Sequence, residues 1–466
     1  MIPLTLTELA QAIDGQLLGK SLTINAISTD SRDLNAGDVF LALKGPNFDG
    51  HKFLSQASEL GCSAVIVQQA QAELGIAQIV VKDTHQALGA IGAYVKAKVA
   101  PKTVAITGSS GKTTVKEMVA AILNRIGKVL ATQGNFNNDI GVPLTLLRLE
   151  ADHDFAVVEL GANHIGEIAY TSALVKPDVA IINNIAAAHL EGFGDLSGVA
   201  RAKGEIFSGL VAGGMAIFEQ NSPWAEQWRW RLSDKKVRRF SCQGVADCYS
   251  HQEVLDDNGC ASFKLTTPIG STYIDLTVPG HHNVCNAVVA AAIALEFDAS
   301  LVDIRLGLAE MTAAKGRLNL HQLGKQTKLI DDSYNANVDS IKAATDLLAS
   351  YPGRRVLILG DMGELGSDAR RYHQEVGEHA KSKHIDDLLS LGVLSLHSSD
   401  AFYQGQNDQA QHFSGREELM SRLQQLLQGE ERQVTILVKG SRSAQMEYVV
   451  ADIIQWHNSL TLQEQA

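Results

Sequence analysis

The chain has 466 residues, 45% of them hydrophobic and 20% charged, with 40 glycines and 6% aromatics. That length exceeds one ordinary core and predicts two or three domains, and the glycine content suits an α/β chain with many strand–helix turns. A formal charge of −12 argues against nucleic acid or an anionic membrane surface as the main partner. The opening "MIPLTLTELAQAIDG" has no basic or apolar leader character, and no run approaches the ~20 apolar residues of a membrane span. A cytoplasmic protein is therefore expected, with no stable membrane insertion. Its five cysteines (Cys62, Cys242, Cys248, Cys260 and Cys285) show no C-x-x-C spacing and are expected to stay reduced, without zinc.

In chain order, "LTLTELAQAIDG" predicts a capped helix ended by Gly15. "GDVFLALKG" and "CSAVIVQ" predict strands separated by a helix at 52–60, and 86–98 predicts a helical connector closed by Pro101. A second unit opens with the strand "KTVAITG", followed by strand-like runs at 154–160, 178–185 and 214–220 and by helical patterns at 112–126 and 166–175. Near-continuous apolar strands alternating with helices predict a doubly wound, mostly parallel sheet. Hairpins are expected over 246–278 and an Ala-rich helix over 283–297. A third unit from Gly316 repeats the alternation as "TKLIDDSY", "RRVLILGD", "DDLLSLG" and "VTILVKG", ending in a helix at 443–457. The expected organisation is three α/β domains: a small one at 1–85, a central phosphate-loop domain at 86–314 and a Rossmann-like one at 315–466. The basic run 235–239 reads as a solvated strand edge, and Trp224, Trp228 and Trp230 as packing.

Chemistry enters at "VAITGSSGKTT", residues 104–114. The usual G-x-x-x-x-G-K-[ST] spacing fails, because Ile106 stands five residues before Gly111. Even so, Gly108 and Gly111 let successive N–H groups curl inward between a buried strand and a helix N-terminus. Lys112 supplies a mobile cation for phosphates and Thr113 a hydroxyl for Mg²⁺. Glu159 stands at the end of one predicted strand and His189 just past another, where a parallel sheet gathers ligand groups, so the pair could share a divalent ion. Lys203, early in a predicted helix, reads on its own as a surface lysine.

Together with "GNFNNDIGVPLTLL" (134–147), "PGHHNVCNAVVAAA" (279–292), "KGRLN" (315–319), "DDSYNAN" (331–337) and "LGDMGELG" (359–366), this pattern resembles the Mur ligase family of ATP-dependent amide-forming enzymes. That family's T-G-[ST]-x-G-K-[ST] loop fits where the general pattern failed. The resemblance spans essentially the whole chain and is closest to the dipeptide-adding member. Val338 departs from the proline expected after "YNAN", a matter of loop rigidity.

The resemblance implies ATP and Mg²⁺ as cofactors, and UDP-N-acetylmuramoyl-tripeptide and D-alanyl-D-alanine as substrates of a monomer. Thr107, Gly108, Ser109, Ser110, Gly111, Lys112, Thr113 and Thr114 would cradle the ATP phosphates, with Asn137 or Asn138 facing the γ-phosphate. Asn283 and Asn286 would approach adenine, Asp332 the ribose and Arg317 the phosphates. Thr113, Glu159 and His189 would hold Mg²⁺, with Lys203 joining as a carbamate. "STDSRDLNAGDVFLALKGPNFDGHKF" (28–53) is similar to the family's uridine-nucleotide segment, so Ser31, Arg32, Asp49, Gly50 and His51 would meet the UDP-sugar. Asn335 and Asn337 would also bind substrate.

A carboxylate is a poor electrophile. Transferring a γ-phosphoryl group to it makes an acyl phosphate that an amine can attack, with Lys112, Glu159, His189, Lys203 and Arg317 as the catalytic set. His189, where not committed to metal, is a candidate base. The alternatives are a diaminopimelate- or lysine-adding ligase, folylpolyglutamate synthase, a phosphate-loop switch without N-K-x-D, or a non-catalytic nucleotide module.

Overall fold

The computed structural model describes residues 1–45, 47–404 and 411–464, with side chains described as far as Ser459. Pro46, inside the segment similar to the uridine-nucleotide site, lies outside them. The chain opens with the helix Leu6–Ala12, started by a capping box in which Thr5 and Glu8 satisfy each other's backbone N–H groups. Five short strands form the first main sheet, in the order Gln16–Leu18, Ala77–Val80, Ala64–Val67, Val39–Leu41, Ile27–Ser28. Its pairs are parallel apart from the first.

The helix Thr84–Val99 follows, capped by Asp83 and ended by Ala100 in the left-handed region. It leads into a nine-stranded sheet. From edge to edge this runs Gly270–Pro279, Cys260–Thr267, Cys248–Leu255, Lys236–Ser241, Met215–Glu219, Val179–Ile182, Lys102–Thr107, Phe155–Glu159, Val129–Ala131. The first three strands are antiparallel hairpins and the rest are parallel. Alternation along each strand divides the core between two faces. Ala105, Val158, Ile182 and Phe218 join a cluster reaching across Thr84–Val99 to the first sheet, whereas Val104, Ile106, Val157 and Ile181 pack under the helices Lys112–Leu123 and His281–Ala294.

The third sheet has six strands, in the order Asn319–Leu323, Thr327–Asp332, Val434–Lys439, Arg354–Gly360, Asp387–Leu391, His412–Phe413. The first pair is antiparallel and the others are parallel. This unit docks on the tip of a central hairpin. Tyr351 Oη donates to the Asn258 carbonyl at 2.6 Å and Lys328 Nζ to Asn258 Oδ1 at 2.8 Å.

The α/β class and the strand order of the motifs agree with the sequence reading; several details differ. Strand Asn319–Leu323 and helix Ala369–Ser382 were not anticipated, and the last helix spans Glu447–Glu464 rather than 443–457. The basic run is not a sheet edge. Lys236–Ser241 lies between two strands, Arg238 pairs with Glu296, and the Arg239 guanidinium sits 3.8 Å from the Phe218 ring centre. The expectation of five reduced cysteines is also corrected. Cys242 and Cys285 form a disulfide between the end of that strand and the helix His281–Ala294, while Cys62, Cys248 and Cys260 are free. Of the tryptophans, Trp228 is buried and donates Nε1–H to the Ala200 carbonyl at 2.8 Å, whereas Trp230 is 68% exposed.

Candidate active site

Three parallel strands end level with one another. Glu159 is in register with Ile106, and Ile182 with Thr107, so the turns after all three open onto one crevice beside the central strand. The loop 108–111 lies in this crevice. Gly108 has φ +158 and Gly111 φ +76, and a Cβ on Gly111 would meet Asn183 Nδ2 at 2.5 Å and Asn286 Oδ1 at 2.7 Å. Glycine is thus required at Gly111 both for the left-handed backbone and for space.

Neighbouring polar groups fix the loop. Thr107 Oγ1 donates to the Leu160 carbonyl at 2.8 Å, and Ser109 Oγ exchanges hydrogen bonds with the backbone of Ala186. Asn184 Oδ1 accepts from Ser110 N–H at 2.8 Å, and both Asn183 and Asn184 donate to the Ser110 carbonyl. The sequence reading missed this asparagine pair. Its signal was a strand ending in two consecutive carboxamides.

From the helix that starts at Lys112, Lys112 Nζ folds back to the Gly108 carbonyl at 2.8 Å. Burial lowers its pKa, opposed by Glu159 and reinforced by Arg317. Thr113 Oγ1 donates to Glu159 Oε2 at 3.0 Å, and Asn137 Nδ2 donates to Glu159 Oε1 at 2.8 Å. Asn138 instead turns to the start of the helix Gly141–Leu147, its Oδ1 accepting Gly141 N–H at 2.8 Å. Of the two candidates, Asn137 is therefore the one in the site.

Lys203 is not a surface lysine, nor does it lie early in its helix. It occupies the last turn of Leu196–Gly204, 1% exposed, with Nζ 5.8 Å from the Phe193 ring centre. Burial, then the Lys112 cation, drive its pKa well below the usual lysine range. His189 stands before the short helix Leu190–Phe193, edge-on to the Phe193 ring, with Nδ1 2.5 Å from Glu364 Oε2.

A cavity of about 410 Å³ adjoins the loop, lined by Ser110, Gly111 and Thr114 from the loop and helix, Asn283 and Asn286 from the Ala-rich helix, and Arg317, Asp332 and Lys439 from the third unit. Asn286 Nδ2 donates to Asn283 Oδ1 at 2.8 Å, and Asn183 Oδ1 and Arg317 Nε are buried without partners. A cavity this size with unsatisfied donors and acceptors suits a polar, anionic ligand of nucleoside dimensions. Lys439 and His282 are further wall residues that sequence reasoning did not single out. Lys439 Nζ donates to Asp332 Oδ2 at 2.5 Å and to the Asn335 carbonyl at 3.0 Å. Asn337 caps the helix Val338–Ser350 and donates to the Ser109 carbonyl at 3.3 Å, tying the third unit to the phosphate loop.

The uridine-segment residues gather on the first sheet. Arg32 pairs with Asp30 at 2.6 Å, holding that carboxyl at about 2, next to the buried Ser31. His51 Nδ1 meets Asp49 Oδ1 at 2.7 Å while Nε2 accepts Gln68 N–H at 3.0 Å, so the ring proton sits on Nδ1. Gly50 N–H donates to the Leu43 carbonyl at 2.7 Å, too close for a side chain.

Three family models match the chain. The Mur ligase family catalytic domain covers residues 23–96, the Mur ligase middle domain 106–294, and the Mur ligase glutamate ligase domain 316–442. The chain is 48% identical over 451 residues to UDP-N-acetylmuramoyl-tripeptide–D-alanyl-D-alanine ligase of Escherichia coli (strain K12), covering 97% of this chain and 98% of that protein. The chain belongs to the Mur ligase family. The Haemophilus influenzae ligase of the same name is 43% identical, covering 97% of this chain and 98% of that one. A crystal structure of MurF from Acinetobacter baumannii is 40% identical with a TM-score of 0.92, covering 98% of this chain and 99% of that one. Mur ligase membership, the fold class and ligase activity are thus as the sequence reading expected. No helix among the described residues is long and apolar enough to cross a membrane.

Proposed function

We propose that this Mur ligase joins D-alanyl-D-alanine to the terminal carboxylate of UDP-N-acetylmuramoyl-tripeptide, converting ATP to ADP and phosphate by way of an acyl phosphate. The observation that carries the reading is the near-full-length 48% identity to a ligase of that name, coupled with a complete phosphate loop, acid and cation set around one crevice. We assign residues 1–85 to the UDP-sugar, 86–314 to ATP and 315–466 to closing the site, in a cytoplasmic monomer that handles neither nucleic acid nor membrane.

In this reading Asn283 and Asn286 meet the adenine, Asp332 the ribose, and the amides of 108–114 the phosphates, at a helix N-terminus that favours negative charge. Lys112 and Arg317 neutralise charge as the γ-phosphoryl group passes to the carboxylate, and the tripeptide nucleotide is held by Ser31, Arg32, Asp49, Gly50 and His51. Asn335 and Asn337 sit on the loop that carries the peptide end of the substrate toward the crevice. The Thr113 hydroxyl and Glu159 carboxylate, 3.0 Å apart, are oxygen donors of the kind a hard divalent ion of the Mg²⁺ type takes, and we assign the His189 imidazole as a further, nitrogen ligand; bound there the ion would screen phosphate charge. Lys203 as an ammonium repels such an ion. Buried beside Lys112, it favours the neutral amine, the form that adds CO₂, and as a carbamate it would supply an oxygen ligand. His189, with Nδ1 turned to Glu364, keeps Nε2 for metal or for the amine proton.

Release of ADP, assayed with D-alanyl-D-alanine, lysine, diaminopimelate and glutamate as acceptors and with lysine- and diaminopimelate-containing tripeptides, tests the reading. D-alanyl-D-alanine should be the acceptor that drives turnover. Preference for a single amino acid would assign the chain to another branch of the family.

A further inference from the structure

The His189 imidazole is met by a residue from the other side of the crevice. Glu364 belongs to the loop "GDMGELG" of the third unit, and its Oε2 lies 2.5 Å from His189 Nδ1. The approach is an ion-pair contact outside hydrogen-bond geometry, and Nδ1 is buried with no hydrogen-bond partner. Among the described residues, Glu364 is the group positioned to serve it, through a small rotation of the ring. The backbones are joined as well, since Glu191 N–H donates to the Glu364 carbonyl at 3.3 Å.

Both partners are held in an uncommon conformation. His189 has φ 54 and Glu364 φ 61, in the left-handed region that non-glycine residues rarely adopt. Such a backbone persists where the surroundings impose it, and the surroundings of Glu364 are rigid. Asp361 accepts the N–H groups of Val393 and Ser395, Met362 N–H donates to His373 Nε2 at 2.9 Å, and Met362 and Leu365 are buried. Glu364 is thus presented from a fixed loop of one unit to a histidine on another.

We propose that Glu364 is a positioning residue that orients His189 from across the crevice, so that the third unit supplies part of the support of the metal site. A carboxylate on one imidazole nitrogen fixes the ring and directs the other nitrogen at the ion. This rests on the reading of His189 as a metal ligand, and the test separates the two.

Mn²⁺ is titrated into the full-length protein with ADP present, free Mn²⁺ being read by electron paramagnetic resonance, for wild type, His189→Ala, Glu364→Gln, Glu364→Gly and the double variant His189→Ala/Glu364→Gln. Glycine suits the left-handed backbone, so Glu364→Gly should unfold at a temperature no lower than wild type and keeps the test valid if Glu364→Gln is unstable. Both Glu364 variants should weaken Mn²⁺ about 10–100-fold while ADP affinity changes less than about 2-fold, and kcat should fall with KM for ATP nearly unchanged. The double variant should bind Mn²⁺ as His189→Ala does, because the two residues act as a unit. If His189→Ala weakens Mn²⁺ and the Glu364 variants bind like wild type, or if the two losses multiply, the positioning role is wrong and the metal reading stands. If His189→Ala itself leaves Mn²⁺ binding unchanged, the metal reading of His189 fails and the proposal with it.

Discussion

Thr113 donates its hydroxyl hydrogen to Glu159 Oε2 at 3.0 Å, while Asn137 occupies the other carboxylate oxygen at 2.8 Å. Helix start and strand end are thereby joined through one buried acid, whose charge also faces Lys112. Glu159→Gln keeps the shape but removes the negative charge and turns one of the two accepting oxygens into a donor. It should lower kcat by about two to three orders of magnitude, the scale on which preorganised electrostatic groups act. Circular dichroism should remain that of the wild type. A variant that turns over within a few-fold of wild type would remove Glu159 from the catalytic set.

The pair Lys439–Asp332 is buried on both sides, 2.5 Å apart, in the wall of the nucleotide cavity. Burial lowers the Lys439 pKa and Asp332 works against that shift. Removing one partner strands the other charge, so Lys439→Met or Asp332→Asn alone should destabilise the fold by about 3–5 kcal/mol. The double variant should be less destabilised than the sum of the singles. Denaturant unfolding of all four proteins gives the coupling, and additivity would show that the charges do not depend on each other.

His282 lies in the same wall, and burial holds its pKa at about 4, with Lys439 and His281 helping and Asp332 opposing. The unfolded chain takes up the proton near pH 6.5 and the native state near 4, so across this window the unfolded state binds more protons and stability falls as the pH falls. The loss from this residue is at most about 3 kcal/mol, complete near pH 4. Unfolding free energies measured from pH 7.5 to 4.5 should drop less steeply in His282→Phe than in wild type. Parallel curves would mean that His282 titrates as it does in the unfolded chain.

How much of this could be read beforehand depends on how far apart in the chain the cooperating atoms lie. The phosphate loop is one contiguous segment whose strand, glycines and helix start announce themselves, so Gly108 to Thr114 are legible without coordinates. Strands such as Phe155–Glu159 are equally plain, because both faces are buried and nearly every residue is apolar. Strand Asn319–Leu323 carries polar residues at its start and middle, and its pairing is decided by its antiparallel partner. The contacts of Lys439, Glu364 and the Asn183–Asn184 pair join segments 70 or more residues apart. No local pattern marks them. Lys203 looks like any helix-surface lysine until Phe193 and Lys112 are seen beside it. The Cys242–Cys285 pair, separated by 43 residues, was invisible to spacing rules built on close cysteines.

In the proposed reaction ATP serves to make an acid acylating. The direct test incubates the protein with ATP, Mg²⁺ and UDP-N-acetylmuramoyl-tripeptide in the presence of hydroxylamine and without D-alanyl-D-alanine, and analyses the nucleotide peptide by mass spectrometry. A hydroxamate should form at the peptide's terminal carboxyl, in step with ADP. Consumption of ATP with no hydroxamate would contradict it.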